Sequence, residues 1–225
     1  MYSLLSIIIL FFSNRISSFA FIPRRSIIMY TLSSKLLYNN VLNSENDDNS
    51  LIHNIKNNIY YSGPLTDESI FGITTNILTL QNMIIDNNNN NNNHEINLHI
   101  KSQGGSLLPT LGLVDIIRNS NVPINTYIDG YAASAATLIS IVGSKRFINK
   151  HGLLLIHQLK MGAEYSKYNE IKDFAENADT LMDIIRNLYL EYSNIDINKL
   201  NYLLDHDLWL NSTTCKEYGL VDIII

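Results

Sequence analysis

The chain has 225 residues, a formal net charge of −5, 46% hydrophobic residues and only 16% charged ones. That is enough for one domain with a sizeable core, and it excludes both a disordered chain and the basic footprint of a nucleic-acid binder. A single cysteine, Cys215, excludes an internal disulfide and a cysteine zinc site and fits a reducing compartment, while the six histidines are scattered without metal-ligand spacing.

The first 35 residues read as a targeting leader. Leu4 to Phe12 is an apolar run too short to span a bilayer and suited to a signal-peptide core. Arg24 to Lys35 is basic, serine-rich and free of acids, the character of a transit peptide. The Ser18-Phe19-Ala20-Phe21-Ile22-Pro23 junction resembles the bipartite plastid leader of algae with secondary red plastids, which is cut just before a Phe. That resemblance implies the plastid stroma, and no membrane contact once the leader is removed. The alternatives are a plain hydrophobic N-terminus on a cytoplasmic protein, or initiation at Met29. Residues 36–57, rich in Asn and Asp between Asn39 and Ser50, read as a flexible arm.

From residue 58 the chain alternates strands and helices. Asn58 to Ser62 is strand-like and ends at Gly63-Pro64. Thr66 starts a helix with acids in its first turn and Ile70, Ile73, Ile77, Leu78 and Leu80 on its apolar face. The Asn run at 87–93 ends it as a surface loop. Ile96 to Ile100 alternates as a strand, Leu108 to Asn119 is helical, and Ile124 to Ile128 is a strand leading to Gly130. Ala133 to Ile141 is helical again. Strands follow at Lys145 to Ile148 and Leu153 to Ile156. A long amphipathic helix runs from Lys167 to Tyr192, with Ile171, Phe174, Ala178, Leu181, Ile184, Ile185 and Leu188 on one stripe. Asp196 caps a short helix to Leu204, and the chain closes with a helix at Thr213 to Tyr218 and a strand at Leu220 to Ile225. The pattern predicts one α/β domain with a parallel core.

Four features bear on chemistry. Ser134, in Gly130-Tyr131-Ala132-Ala133-Ser134-Ala135-Ala136, stands where a strand gives way to a helix, whose unpaired N–H groups suit an oxyanion. It is equally a helix cap in a small-residue turn. Gly104-Gly105 follows a strand and exposes backbone N–H groups, as an ordinary turn also does. His157 closes the apolar strand Leu153-Leu154-Leu155-Ile156, where a core histidine and a rigidly held base look alike. Asp207 is a carboxylate among apolar residues, which needs a partner if buried and none in an exposed loop.

In order and in register, these features resemble the ClpP family. Gly130-Tyr131-Ala132-Ala133-Ser134, Leu155-Ile156-His157-Gln158, Asp207-Leu208-Trp209-Leu210-Asn211 and Glu217-Tyr218-Gly219-Leu220-Val221-Asp222 look like its successive motifs, and Gly104-Gly105 like its glycine pair. His157 lies 23 residues after Ser134, and Asp207 lies 50 after His157, close to the family's intervals. The resemblance implies a crotonase-like fold of stacked strands with flanking helices and a projecting handle, here Lys167 to Tyr192. It implies a serine endopeptidase with Ser134 as nucleophile, His157 as base, Asp207 orienting His157, and the backbone N–H groups of Gly105 and Ala135 as oxyanion hole. Asp205 is a second candidate for the acid, two residues out of register. The implied assembly is a homo- or hetero-oligomeric double ring of seven-membered rings that degrades unfolded proteins fed by an AAA+ unfoldase. The subunit itself carries no ATP-binding loop and needs no cofactor. This chain departs from the pattern at Gln103, at Ala135-Ala136, at Leu159 and at Met161-Gly162, and its arm lacks the axial-loop motif. The competing expectations are a non-catalytic subunit of a mixed ring, a crotonase-type acyl-CoA hydratase or isomerase, and a Ser-Lys dyad peptidase using Lys145 or Lys167.

Overall fold

The computed structural model of the chain describes residues 51–86, 95–162 and 166–225. The leader at 1–35, the arm up to residue 50 and the Asn run at 87–93 lie outside the described residues. Eight strands and six helices follow in order: β1 (Leu51–Ile55), β2 (Asn58–Ser62), α1 (Asp67–Asp86), β3 (Ile96–Ser102), α2 (Leu107–Arg118), β4 (Ile124–Ala133), α3 (Ala135–Ile141), β5 (Arg146–Ile148), β6 (Leu153–Ile156), α4 (Tyr168–Tyr192), α5 (Ile197–Leu204), β7 (Leu208–Asn211), α6 (Ser212–Glu217) and β8 (Ile223–Ile224).

The sheet runs β1-β2-β3-β4-β5-β8, with β6 on β4 and β7 on β6. Its pairings are parallel except for β1 with β2, a hairpin, and β6 with β7, which pair antiparallel although α4 and α5 separate them in the chain. The organising element is β4. Its first half, Thr126 to Ile128, pairs with β5, and its second half, Tyr131 to Ala133, pairs with β6. Gly130, at φ 100°, lies where β4 changes partner. This switch carries the end of β4 alongside β6, and so brings residues 134 and 157 to one edge.

One face of the sheet packs on the helices. Ile59, Leu98, Ile100, Ile124 and Ile128 are buried there with Ile70, Ile73 and Ile77 of α1 and Leu113 and Val114 of α2. Each such side chain contributes about 1.5–3 kcal/mol through burial. Thr126 also faces inward and donates its hydroxyl to Ser140 of α3 (2.6 Å). The other face carries rows of in-register side chains across the strands. Tyr60, His99, Tyr127 and Phe147 stack in sequence at 4.3–4.5 Å between ring centroids. Asn125 and Asn97 each donate to the next asparagine, ending on Asn58.

Three expectations need correction. Residues 51–57 are not arm: they form β1 and its turn into β2, a strand concealed in the sequence because only Ile52 of its five residues is partly buried. The final strand, expected over Leu220 to Ile225, shrinks to Ile223–Ile224, because Gly219 at φ 67° turns the chain and the Leu220 N–H bonds back to Cys215 O at the end of α6; Leu208 to Asn211 adds a strand on β6. Leu78 points outward from α1, about half exposed.

The long helix α4 divides in two. Ile185, Leu188 and Tyr189 are buried against the domain, while the N-terminal half is exposed or only partly covered. Its first turn is closed by Glu170, which accepts a hydrogen bond from the Lys167 backbone N–H (2.9 Å).

Candidate active site

At the end of β4 the backbone makes a turn that few side chains tolerate. Ser134 has φ 55° and ψ −131°, the N-cap position of α3. A non-glycine residue there costs on the order of 1–3 kcal/mol, so surrounding bonds must hold it. Its N–H donates to Leu155 O of β6 (2.9 Å). Its carbonyl accepts twice from one residue, from the Thr137 N–H (2.9 Å) and the Thr137 hydroxyl (2.6 Å). The bond to Leu155 ties the serine to a point two residues before His157.

The glycine pair is fitted to this turn. A Cβ on Gly104, at φ 89°, would stand 2.6 Å from Ala133 O and 2.7 Å from Ser134 Cβ. A Cβ on Gly105 would stand 2.1 Å from Leu65 O. Leu65 bridges the pair, donating to Gly104 O (2.9 Å) and accepting from the Ser106 N–H (2.7 Å). Among the described residues, neither the Gly105 N–H nor the Ala135 N–H has a recorded acceptor. Both are therefore available to a ligand.

Ser134, Ala135, Gly104, Gly105 and His157 line one cleft of about 380 Å³. Leu107, Leu138, Leu159 and Ile185 supply its apolar walls, and Gln158 and Lys160 complete it beside the histidine. Four of the five expected site residues are thus gathered in one place.

The fifth is not. Asp207 is about two-thirds exposed, and its carboxylate lies 3.7 Å from Lys160 Nζ. His157 Nδ1 meets Gln158 O instead (2.6 Å). A carbonyl only accepts, so Nδ1 is the donor, which in the neutral ring leaves the lone pair on Nε2. This is the tautomer a general base requires, fixed here by a carbonyl rather than a carboxylate. Asp207 takes the exposed-loop alternative: the turn after α5 leaves it in solvent with Lys160, not His157, beside its carboxylate. Asp205 closes α5 as its C-cap and is also exposed.

Sequence reasoning passed over Lys160, Gln158, Thr137 and Tyr189. Tyr189 falls on the helix stripe that also holds Ile185, so its periodicity marks it as core. Nothing in its spacing reveals that it reaches the cleft.

Comparison with known proteins identifies the family. The family model described as Clp protease matches residues 45–225. The ATP-dependent Clp protease proteolytic subunit 1 of Cutibacterium acnes is 28% identical over 170 residues, covering 74% of this chain and 76% of that protein. The ATP-dependent Clp protease proteolytic subunit of Bacteroides thetaiotaomicron is 28% identical over 154 residues, 68% of this chain and 69% of the relative. That of Pleurastrum terricola is 26% identical over 168 residues, 74% and 82% respectively. With four-fifths of its length matched by one family model, this chain belongs to the Clp protease family.

Proposed function

We propose that the protein is a serine endopeptidase, the proteolytic subunit of an ATP-dependent Clp protease. The observation that carries this reading is Ser134 held at φ 55° in one cleft with His157 and two unclaimed backbone N–H groups. A strained serine sharing a cleft with a base and a pair of donors is the set of groups acyl transfer needs.

In the proposed reaction, His157 Nε2 takes the proton of Ser134 Oγ as that oxygen attacks the substrate carbonyl. The Gly105 and Ala135 N–H groups receive the oxyanion. The imidazolium then gives its proton to the leaving amine, and the acyl group remains on Ser134. Water, deprotonated by the same nitrogen, releases it. Asp207 would act after leaving Lys160 and replacing Gln158 O at Nδ1, where its charge stabilises the imidazolium. The apolar walls of Leu107, Leu138 and Ile185 favour an apolar side chain next to the scissile bond.

The relatives' names, proteolytic subunits of an ATP-dependent protease, support an oligomeric assembly with an ATPase partner; the form proposed for it is a ring fed with unfolded chains by an AAA+ unfoldase. The character of the leader supports plastid delivery. The decisive experiment is hydrolysis of a fluorogenic peptide ending in an apolar residue, by the wild type and by Ser134→Ala. Activity in the first and none in the second is expected. Equal activity in both would reject Ser134 as nucleophile.

The pairing of Asp207 with Lys160 favours one second reading, a non-catalytic subunit of a mixed ring. A wild type that assembles but neither hydrolyses peptide nor reacts with a serine-directed phosphonate would establish it.

A further inference from the structure

Behind the nucleophile lies a pair of buried hydroxyls that the proposed reaction does not use. Thr137, in the first turn of α3, is fully buried, and Tyr189 of α4 is 2% exposed. The Thr137 hydroxyl meets both Ser134 O and the Tyr189 hydroxyl. The proton order follows from the inventory of donors. Ser134 O can only accept, so the Thr137 hydroxyl donates to it. That leaves Thr137 Oγ1 only its lone pairs for the phenol, so Tyr189 donates. The chain of bonds runs one way, from Tyr189 through Thr137 to the Ser134 carbonyl.

That carbonyl shares a planar trans peptide with the Ala135 N–H, and the two point in opposite directions. Whatever fixes the carbonyl aims the N–H. A carbonyl that accepts two hydrogen bonds also polarises its amide, and a hydroxyl that is itself receiving a proton donates more strongly. We infer that Tyr189 and Thr137 are positioning residues, a two-hydroxyl brace that orients and polarises the Ser134–Ala135 peptide so that its N–H serves the oxyanion. The inference rests on the serine-peptidase reading and adds to it a role for α4. The helix whose far half projects from the domain would be joined through one phenol to the peptide that stabilises the transition state.

The phenol has no competing explanation as a space-filler alone. Phenylalanine fills the same volume, and a buried hydroxyl is stabilising only where it finds a partner. Here its partner is one atom removed from the turn that carries the nucleophile.

The test uses the assembled protein and three variants, Tyr189→Phe, Thr137→Val and Thr137→Ser, with active sites counted by phosphonate titration. Loss of a whole oxyanion donor costs about 10²–10³ in kcat. Misaiming one costs less, so Tyr189→Phe should lower kcat per active site about 3- to 10-fold and Thr137→Val about 10- to 100-fold. KM should stay within about twofold in both, since the interaction tightens only in the transition state. Thr137→Ser, which keeps the hydroxyl, should recover most of the activity. A peptide aldehyde, whose adduct with Ser134 carries the oxyanion, should lose affinity for the variants by the factor seen in kcat. A product peptide should not.

Tyr189→Phe changes no volume, so it decides the matter even if Thr137→Val fails to fold. An unchanged kcat per active site in Tyr189→Phe overturns the brace and leaves the peptidase reading intact. Equal losses for aldehyde and product peptide also overturn it, because they mark a merely structural role. A wild type without hydrolase activity overturns the peptidase reading and the brace together.

Discussion

Lys160 Nζ, in the cleft that Ser134 and His157 line, lies 3.7 Å from Asp207 Oδ2. Both side chains are mostly exposed, so the attraction is screened and worth about 0–1 kcal/mol. It nevertheless competes for the carboxylate that the proposed reaction needs at His157. Replacing Lys160 by Met should raise kcat/KM about two- to fivefold at low salt. Added salt should raise the wild type toward the variant and leave the variant little changed. Peptide hydrolysis across a salt series checks this. A variant slower than wild type at low salt would show that Lys160 serves the reaction.

The glycine pair gives a sharper contrast. Gly104→Ala places a methyl 2.6 Å from Ala133 O at φ 89°, so the Ser134 turn itself must move. Strain of about 1–3 kcal/mol should lower the unfolding midpoint, and hydrolysis should fall at least about 100-fold as the donors shift. Gly112 in α2 is the control, since a Cβ there meets nothing within 4 Å. Gly112→Ala should stabilise by about 0.5–1 kcal/mol with activity unchanged. Thermal melts and the peptide assay on both variants separate the two outcomes.

The order of strands and helices was legible in the sequence because most elements bury one periodic face, as Ile70, Ile73 and Ile77 do. Failures came where burial is partial or the partner is distant. β1 has no apolar alternation, and its partner β2 alone makes it a strand. At the site, the Gly104-Gly105 pair was legible because close backbone approach leaves no room for a Cβ, whereas Ser134, Ala135 and His157 were legible only through the motifs around them. Asp207 could be read as a residue but not as a contact: an exposed turn leaves its side chain free to pair with Lys160. The Tyr189–Thr137 bond was illegible, because 52 positions separate the two and each looks like ordinary core.

Arg146 predicts a pH response. Its guanidinium bonds Asp222 and also donates to the carbonyls of Tyr192 and Gly219, tying β5 to the end of α4 and to the turn before β8. Burial pushes the Asp222 carboxyl up, but the hydrogen bonds from the Arg146 side chain and backbone N–H, with its charge, outweigh this and hold it below its usual range. A carboxyl lowered on folding stabilises above its unfolded value and loses that contribution as pH falls through the folded one. Asp222→Asn should therefore cost about 1 kcal/mol at neutral pH, since solvent screens a carboxylate 40% exposed, with the deficit shrinking below about pH 4. Urea unfolding of both proteins from pH 3 to 7 measures it. A constant deficit across that range would remove the charge from the explanation.

The exposed half of α4 predicts assembly. Tyr168 is 72% exposed and Ile171 52%, and Phe174 is only partly covered, all in the stretch that projects beyond the buried Ile185 and Leu188. Apolar side chains so placed on a helix gain nothing from their own domain, and burying them needs another subunit. Charges at Ile171 and Phe174 should therefore split or halt the oligomer while the subunit's fold survives, because no buried contact is lost. Peptidase activity should fall with assembly, since the segment after His157 leads directly into this helix. Ile185→Asp is the opposite case: at 5% exposure it forces a charge into the core and should unfold the domain. Light scattering, circular dichroism and the peptide assay together distinguish the two effects. A double variant Ile171→Asp/Phe174→Asp that stays assembled, or a wild type that is an active monomer, would refute the role given to the helix.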